Sequence, residues 1–289
     1  MNELRKPAYA GLFYPKTDGA LNKLLEECFT GKFGPGALPV RPKPEVLPVK
    51  ALITPHAGYV YSGMAAAWGY KAIAETSLPD LFILIGPNHR TNESGISIDT
   101  FETPLGMVRP DQEFGKALAA KGNIKVNESI HAPEHSLEVQ LPFLQFALGN
   151  RAEKIKIMPL LVSDDLEVEK AAHDLKETIS ELKRKVTFII SSDFTHYGPS
   201  YGYTPFSDNI KENLSKLDKG AIDLIMKADV KGFEDYIHET GASVCGYLPI
   251  ILLLKTITFD KANLEQYYTS GDIAEDYTNS VSYATIVFR

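Results

Sequence analysis

The sequence predicts an α/β protein: a single layered domain over residues 1–289, with a largely parallel central sheet flanked by helices. Three observations predict it. Short apolar runs recur along the chain and end in turn residues. Those runs are continuous rather than alternating, the pattern of strands covered on both faces. Helical patterns lie between them, and that alternation marks a layered α/β architecture.

In chain order, the strand candidates are residues 49–54 before Pro55, 81–86 before Pro87, 155–162, 186–192 and 284–288, with 264–269 as a further candidate. Helical patterns cover 62–74, Gln112–Ala120, 133–148, 166–182, 209–227, 230–239 and 248–256. Within 133–148, Leu137, Leu141, Leu144 and Leu148 recur at helical spacing. Residues 31–48 are rich in Pro and Gly and read as a surface loop, as do 197–205. Neither separates two self-sufficient halves, so one domain is expected. In sheets of this kind the functional crevice lies beyond the carboxyl ends of the strands.

Composition narrows the function classes. A chain of 289 residues, 44% hydrophobic, has ample material for a core. Its net charge of -7 argues against a generic nucleic-acid or anionic-membrane surface, both of which need a basic face. The one Lys/Arg run, Lys183-Arg184-Lys185, closes an expected helix, where positive charge suits the dipole. The longest apolar stretches fall far short of the roughly 18–20 residues that span a bilayer. No secretory pattern opens the chain, so a cytoplasmic location is expected. Two cysteines, Cys28 and Cys245, make no disulfide framework.

Polar residues gather at the strand ends. His56 follows the first strand in TPHAGYVYSG, His89 the second in ILIGPNHR, and His196 the fourth in SSDFTHYG. If those strands run parallel, the three imidazoles emerge at one edge. Asp193 and His196 form D-x-x-H; the carboxylate either orients the imidazole or caps the turn. His135, beside Glu134 in APEHSLEVQLPFL, is either a catalytic candidate or part of a helix start. Cys245, in SVCGYLPI, stands ahead of a helix that Pro249 helps to begin, where the dipole favours thiolate. The alternative is an inert buried thiol, the role expected of Cys28. His131, His173 and His238 read as surface residues.

The segments RKPAYAGLFYP, TPHAGYVYSG, ILIGPNHR, TPLG, EHSLEVQLPFLQ, IISSDFTHYG, SVCGYLPI and SVSYATIVF occur in collinear order from residue 5 to residue 288. Together they resemble the Memo family, also called AmmeMemoRadiSam system protein B. That family is similar in fold to the LigB-type class III extradiol dioxygenases, which hold non-haem Fe(II) on two histidines and a glutamate. The resemblance implies His56 and His89 as imidazole ligands, with Cys245 where the dioxygenases have glutamate. It implies His196, with Asp193 beside it, as the catalytic acid/base. Memo relatives are linked to iron and copper binding, to redox activity and, in the eukaryotic member, to cell motility signalling. The family name also implies a functional association with a radical-SAM protein.

Thiolate in place of carboxylate softens the site, which leaves iron(II) or copper as the expected cofactor and zinc as a third candidate. Catechol cleavage does not follow from the fold, because function belongs to the site. The leading expectation is a metal-dependent oxidoreductase. The runner-up is a metal- or peptide-binding module without turnover, its groove lined by Tyr59, Tyr61, Tyr197, Tyr201 and Tyr203. A Cys–His nucleophile built on Cys245 ranks last, since two further histidines are surplus to that chemistry. The ligand itself, small molecule or peptide, is not legible.

Overall fold

The computed structural model describes residues 4–43 and 45–289. Among them, eleven strands join one sheet. They are β1 (Leu4–Arg5), β2 (Ala51–Thr54), β3 (Leu81–Pro87), β4 (Gly95–Ile96), β5 (Thr100–Thr103), β6 (Gly106–Pro110), β7 (Lys156–Val162), β8 (Val186–Ser191), β9 (His196–Tyr197), β10 (Ala262–Thr269) and β11 (Ser280–Phe288). The order is β1-β5-β6-β7-β3-β8-β2-β11-β10, with β4 on β7 and β9 on β11. The centre, β6-β7-β3-β8-β2, is parallel throughout. The edges turn antiparallel, through β11 and β10 on one side and the β5–β6 hairpin on the other.

The helices are α1 (Asp18–Thr30), α2 (Tyr59–Ala74), α3 (Gln112–Ala120), α4 (Glu128–His131), α5 (Gln140–Leu148), α6 (Val168–Glu181), α7 (Ile210–Met226), α8 (Val230–Thr240), α9 (Tyr247–Thr256) and α10 (Ser270–Ala274). Period-two alternation along the central strands sorts side chains into two cores. Ile53, Ile83, Ile85, Leu160 and Ile190 face one side, with Phe114 of α3, Leu175 of α6, Ile222 of α7 and Leu252 of α9. Leu52, Leu84, Leu161 and Ile189 face the other, with Leu25 of α1, Tyr70 of α2 and Phe143 of α5. Both faces of the sheet are therefore covered, which is why the central strands carry unbroken apolar runs.

Two expectations change. The helix expected over 133–148 is confined to α5, and residues 132–139 form turns. Backbone N–H groups there are diverted to a side chain, since His135 and Ser136 both donate to the carboxylate of Glu134. Pro142 then sits in the first turn of α5, where no N–H is needed. The β5–β6 hairpin was not anticipated. Its strands are short, lie near the sheet edge and bury only alternate residues along β5, so they carry no apolar run. Among the described residues no helix is long and apolar enough to cross a membrane.

Candidate functional site

The parallel neighbours β2, β8 and β3 end at one edge of the sheet. His56 follows β2, His89 follows β3, and Asp193 and His196 follow β8. All four line one cleft of about 620 Å³, together with Phe13, Tyr61, Arg90, His135 and Tyr201. The imidazoles of His56, His89 and His135 pack against one another, with ring centroids 4.8–5.3 Å apart. One ligand nitrogen from each lies within 4.8 Å of the others.

The rings of His56 and His89 are held by hydrogen bonds at Nδ1. Ser191 Oγ donates to the Ser136 carbonyl at 2.5 Å and accepts from Gln140 Nε2 at 2.8 Å. With its single proton spent, it accepts from His56 Nδ1, 2.9 Å away. The His56 proton therefore sits on Nδ1 and the lone pair on Nε2. Burial, with the neighbouring His89, pushes the His56 pKa well down, so the ring is neutral. Glu134 does the same for His89 and lies against His135. Its Oε1 lies 3.0 Å from Nδ1 of His89 and 3.0 Å from Nδ1 of His135, the latter off the hydrogen-bonding direction. Backbone N–H groups of His89, His135 and Ser136 also donate to this carboxylate. Burial by itself raises the Glu134 pKa, but contacts with His135 and His89 outweigh it and hold the carboxyl well below its ordinary range.

Close backbone approaches make these contacts possible. A Cβ on Gly86 would lie 2.8 Å from Leu137 and 2.9 Å from Ser136 Oγ, so glycine lets the Glu134 turn reach the end of β3. A Cβ on Gly246 would lie 2.3 Å from Ser192 Cβ. That second contact carries Cys245 to the site. Its Sγ is 3.2 Å from His56 Nε2 and accepts the Asp193 N–H at 3.1 Å. Burial, then the Asp193 carboxylate, pushes the thiol well above its ordinary range, so Cys245 is a thiol here despite the helix that follows. It stands beside His56 but outside the mutual grouping of the three imidazoles. Cys28, by contrast, is buried in the core far from these groups, and burial pushes it up to about 12.

Asp193 Oδ1 accepts the His56 backbone N–H at 2.8 Å, and burial raises its pKa. His196 has its Nδ1 3.1 Å from the Ser243 carbonyl, which can only accept; its lone pair is therefore on Nε2. Thr195, next to it, is fixed by two bonds to the buried Asp218.

His131 was expected at the surface and is buried instead, 2% exposed, with Nε2 3.0 Å from the Gly95 carbonyl. It closes α4, and its carbonyl accepts from Arg5 Nε. His173 and His238 are exposed. Of the five expected groove tyrosines, only Tyr61 and Tyr201 line the cleft. Tyr59, Tyr197 and Tyr203 spend their hydroxyls on backbone carbonyls.

Glu134 itself was missed as a site residue, although it adjoins His135 in the sequence. The N-terminal wall was missed as well. Phe13 and Tyr9 pack on the His135 ring at 4.6 and 5.2 Å. This arm is pinned by Arg5, whose guanidinium pairs with Glu138 at 2.8 Å and donates to the carbonyls of His131 and Glu134.

The donor set fits a metal ion. Three imidazoles converge, and those of His56 and His89 have Nδ1 engaged behind them, the arrangement in which metal-binding histidines are oriented. Fold and pocket thus define an α/β protein with a histidine-rich, metal-type pocket at the carboxyl edge of a parallel sheet. A family model described as Memo-like protein matches residues 5–287. A MEMO1 family protein of Methanopyrus kandleri is 37% identical, covering 99% of each chain. Those of Methanocaldococcus jannaschii and Methanothermobacter thermautotrophicus are 38% and 34% identical, covering 99% and 97% of this chain and 99% of theirs. The chain belongs to the Memo family.

Proposed function

We propose that this protein is a metal-dependent redox protein, with iron(II) or copper held by His56 and His89 and a third donor drawn from His135 or Cys245. The observation that carries the reading is the convergence of three imidazoles, with Nδ1 of His56 and His89 hydrogen-bonded behind them, which leaves the Nε2 side of those two rings for an ion. A bound ion of this kind supplies one-electron chemistry and Lewis acidity. The chain's own residues bind and handle protons. Asp193 leans towards its protonated form and offers a proton, while Nε2 of His196 accepts one. Tyr61 and Tyr201, partly exposed at the cleft, flank an incoming ligand.

Anaerobic loading with Fe(II) or Cu(I), followed by elemental analysis, tests the metal reading. Stoichiometric metal is expected in the wild type and lost in His56→Ala and His89→Ala. Metal retained by the double variant sinks it. Comparison of His135→Ala with Cys245→Ser identifies the third donor, as the variant that releases the ion. Metal-dependent dioxygen uptake that collapses in His196→Gln supports turnover. Tight metal binding with no uptake selects the second reading, a binding module, which the open aromatic-lined cleft favours.

A further inference from the structure

We propose that Arg90 anchors a substrate bearing a single carboxylate, whose apolar body lies along the adjoining groove of Leu12, Phe13, Val60 and Tyr61. The inference deepens the reading of this cleft as a ligand site and rests on it.

Arg90 is the one Lys or Arg among the described residues that line the cleft. No carboxylate pairs with it among those residues. Its guanidinium is instead held by a tyrosine: Nη2 donates to the Tyr9 hydroxyl, and the group lies 5.8 Å from the centre of the Tyr9 ring. That same ring is 5.2 Å from His135, so the exposed cation stands near the three-imidazole cluster. The Tyr9 contact leaves most of the donor fork open. In a chain with net charge -7, an arginine pre-positioned in a cleft without an acidic partner is a receptor for an external anion.

The groove sets the rest of the ligand. A second depression of about 470 Å³ shares Phe13, Gly58 and Tyr61 with the cleft. Its lip carries Leu12, Val60 and Tyr61, which are 78%, 59% and 44% exposed. Phe13 packs edge-on against Tyr9 at 5.1 Å, so charge and apolar surface are joined through adjacent rings. A ligand that satisfies both is an amphipathic acid. A monoanion fits better than a dianion: one guanidinium matches one carboxylate in a two-point contact, and Asp276 in the same cleft repels extra negative charge.

A fluorine NMR titration of the full chain with 4-(trifluoromethyl)phenylacetate and its primary amide tests this, run on metal-loaded and EDTA-treated protein. The acid is expected to bind about tenfold more tightly than the amide, the effect of one charge-assisted contact. Arg90→Gln should erase that preference and Arg90→Lys should keep part of it. Leu12→Ser and Val60→Ser should weaken acid and amide alike. The preference is expected with and without metal, which keeps the outcome independent of the metal reading. Equal binding of acid and amide overturns the proposal, as does a preference that survives Arg90→Gln. A preference seen only with metal also overturns it, because the carboxylate then sits on the ion. Displacement of the acid by inorganic phosphate at lower concentration than by acetate assigns the site to phosphoryl ligands and overturns the carboxylate class.

Discussion

Glu134 and Asp193 face the same imidazole cluster and carry opposite tendencies. Glu134 collects backbone N–H bonds from His89, His135 and Ser136, besides two imidazole edges, and stays ionised. Asp193 takes one backbone N–H, from His56, and lies 4.0 Å from His56 Nε2; burial wins and its pKa rises. Depth alone does not decide the charge of a carboxylate. The contacts with His135 and His89 hold Glu134 low, and among the described residues Asp193 has no side-chain hydrogen bond to match them. One side of the pocket holds its carboxylate below the ordinary range, and the other holds it above.

The largest test of that contrast is Glu134→Ala. Its donors would be left buried without an acceptor, at a cost on the order of 3 kcal/mol. Urea unfolding measures this, and a loss below about 1 kcal/mol would break the comparison. Metal affinity should fall on the order of 10- to 100-fold in parallel, by titration.

Gly246→Ala probes how the Asp193 side is assembled. The new Cβ meets Ser192 Cβ, so Cys245 and its turn must retreat, at about 2 kcal/mol. Thermal and urea melts read the stability. Recovery of the loss by adding Ser192→Gly identifies the clash as the cause.

His131, on the Glu134 side, should give a pH signature of similar size. Burial holds its folded pKa down at about 3, against 6.5 when unfolded. The unfolded chain therefore binds the extra proton, and this contribution is lost as pH falls from 6.5 towards 3. At pH 5 the loss amounts to about 2 kcal/mol. Unfolding at pH 7.5 and pH 5 should show His131→Gln less acid-sensitive than wild type by that amount. Equal sensitivity would remove His131 from the account.

The smallest effect belongs to Asp193→Asn. Asparagine keeps the acceptor for the His56 N–H and resembles the neutral acid, so stability should change by less than about 1 kcal/mol. A larger loss in the same urea assay would show that Asp193 is held as a charged group like Glu134.

How much was legible follows from where each signal is stored. The central strands announced themselves because burial on both faces demands unbroken apolar runs, and His56, His89 and His196 could be placed by position after them. The edge hairpin could not, because β5 buries only alternate residues. The Glu134 turn was hidden for a different reason. The leucines at helical spacing in 133–148 are genuine core residues, yet the N–H groups of His135 and Ser136 go to a side chain, a choice that periodicity does not record. The thiol state of Cys245 was also invisible, since proximity to a helix start was local, whereas burial and Asp193 arrive from tertiary packing. The N-terminal wall lay beyond pattern altogether, for its partners are more than a hundred residues away.

That wall has a consequence for how the molecule is made. Arg5 pairs with Glu138, and Ala8, Tyr9 and Tyr14 all bond to the same carboxylate. A ribosome delivers the arm first and its anchor much later, so the arm must wait, unpaired, while β2, α2 and β3 are already being synthesised. Contacts of such long separation slow folding. Assembly of the pocket is therefore a closing event: Tyr9 and Phe13 reach His135 only when the arm docks, and a nascent chain halted short of residue 138 carries His56 and His89 without the wall that completes their site.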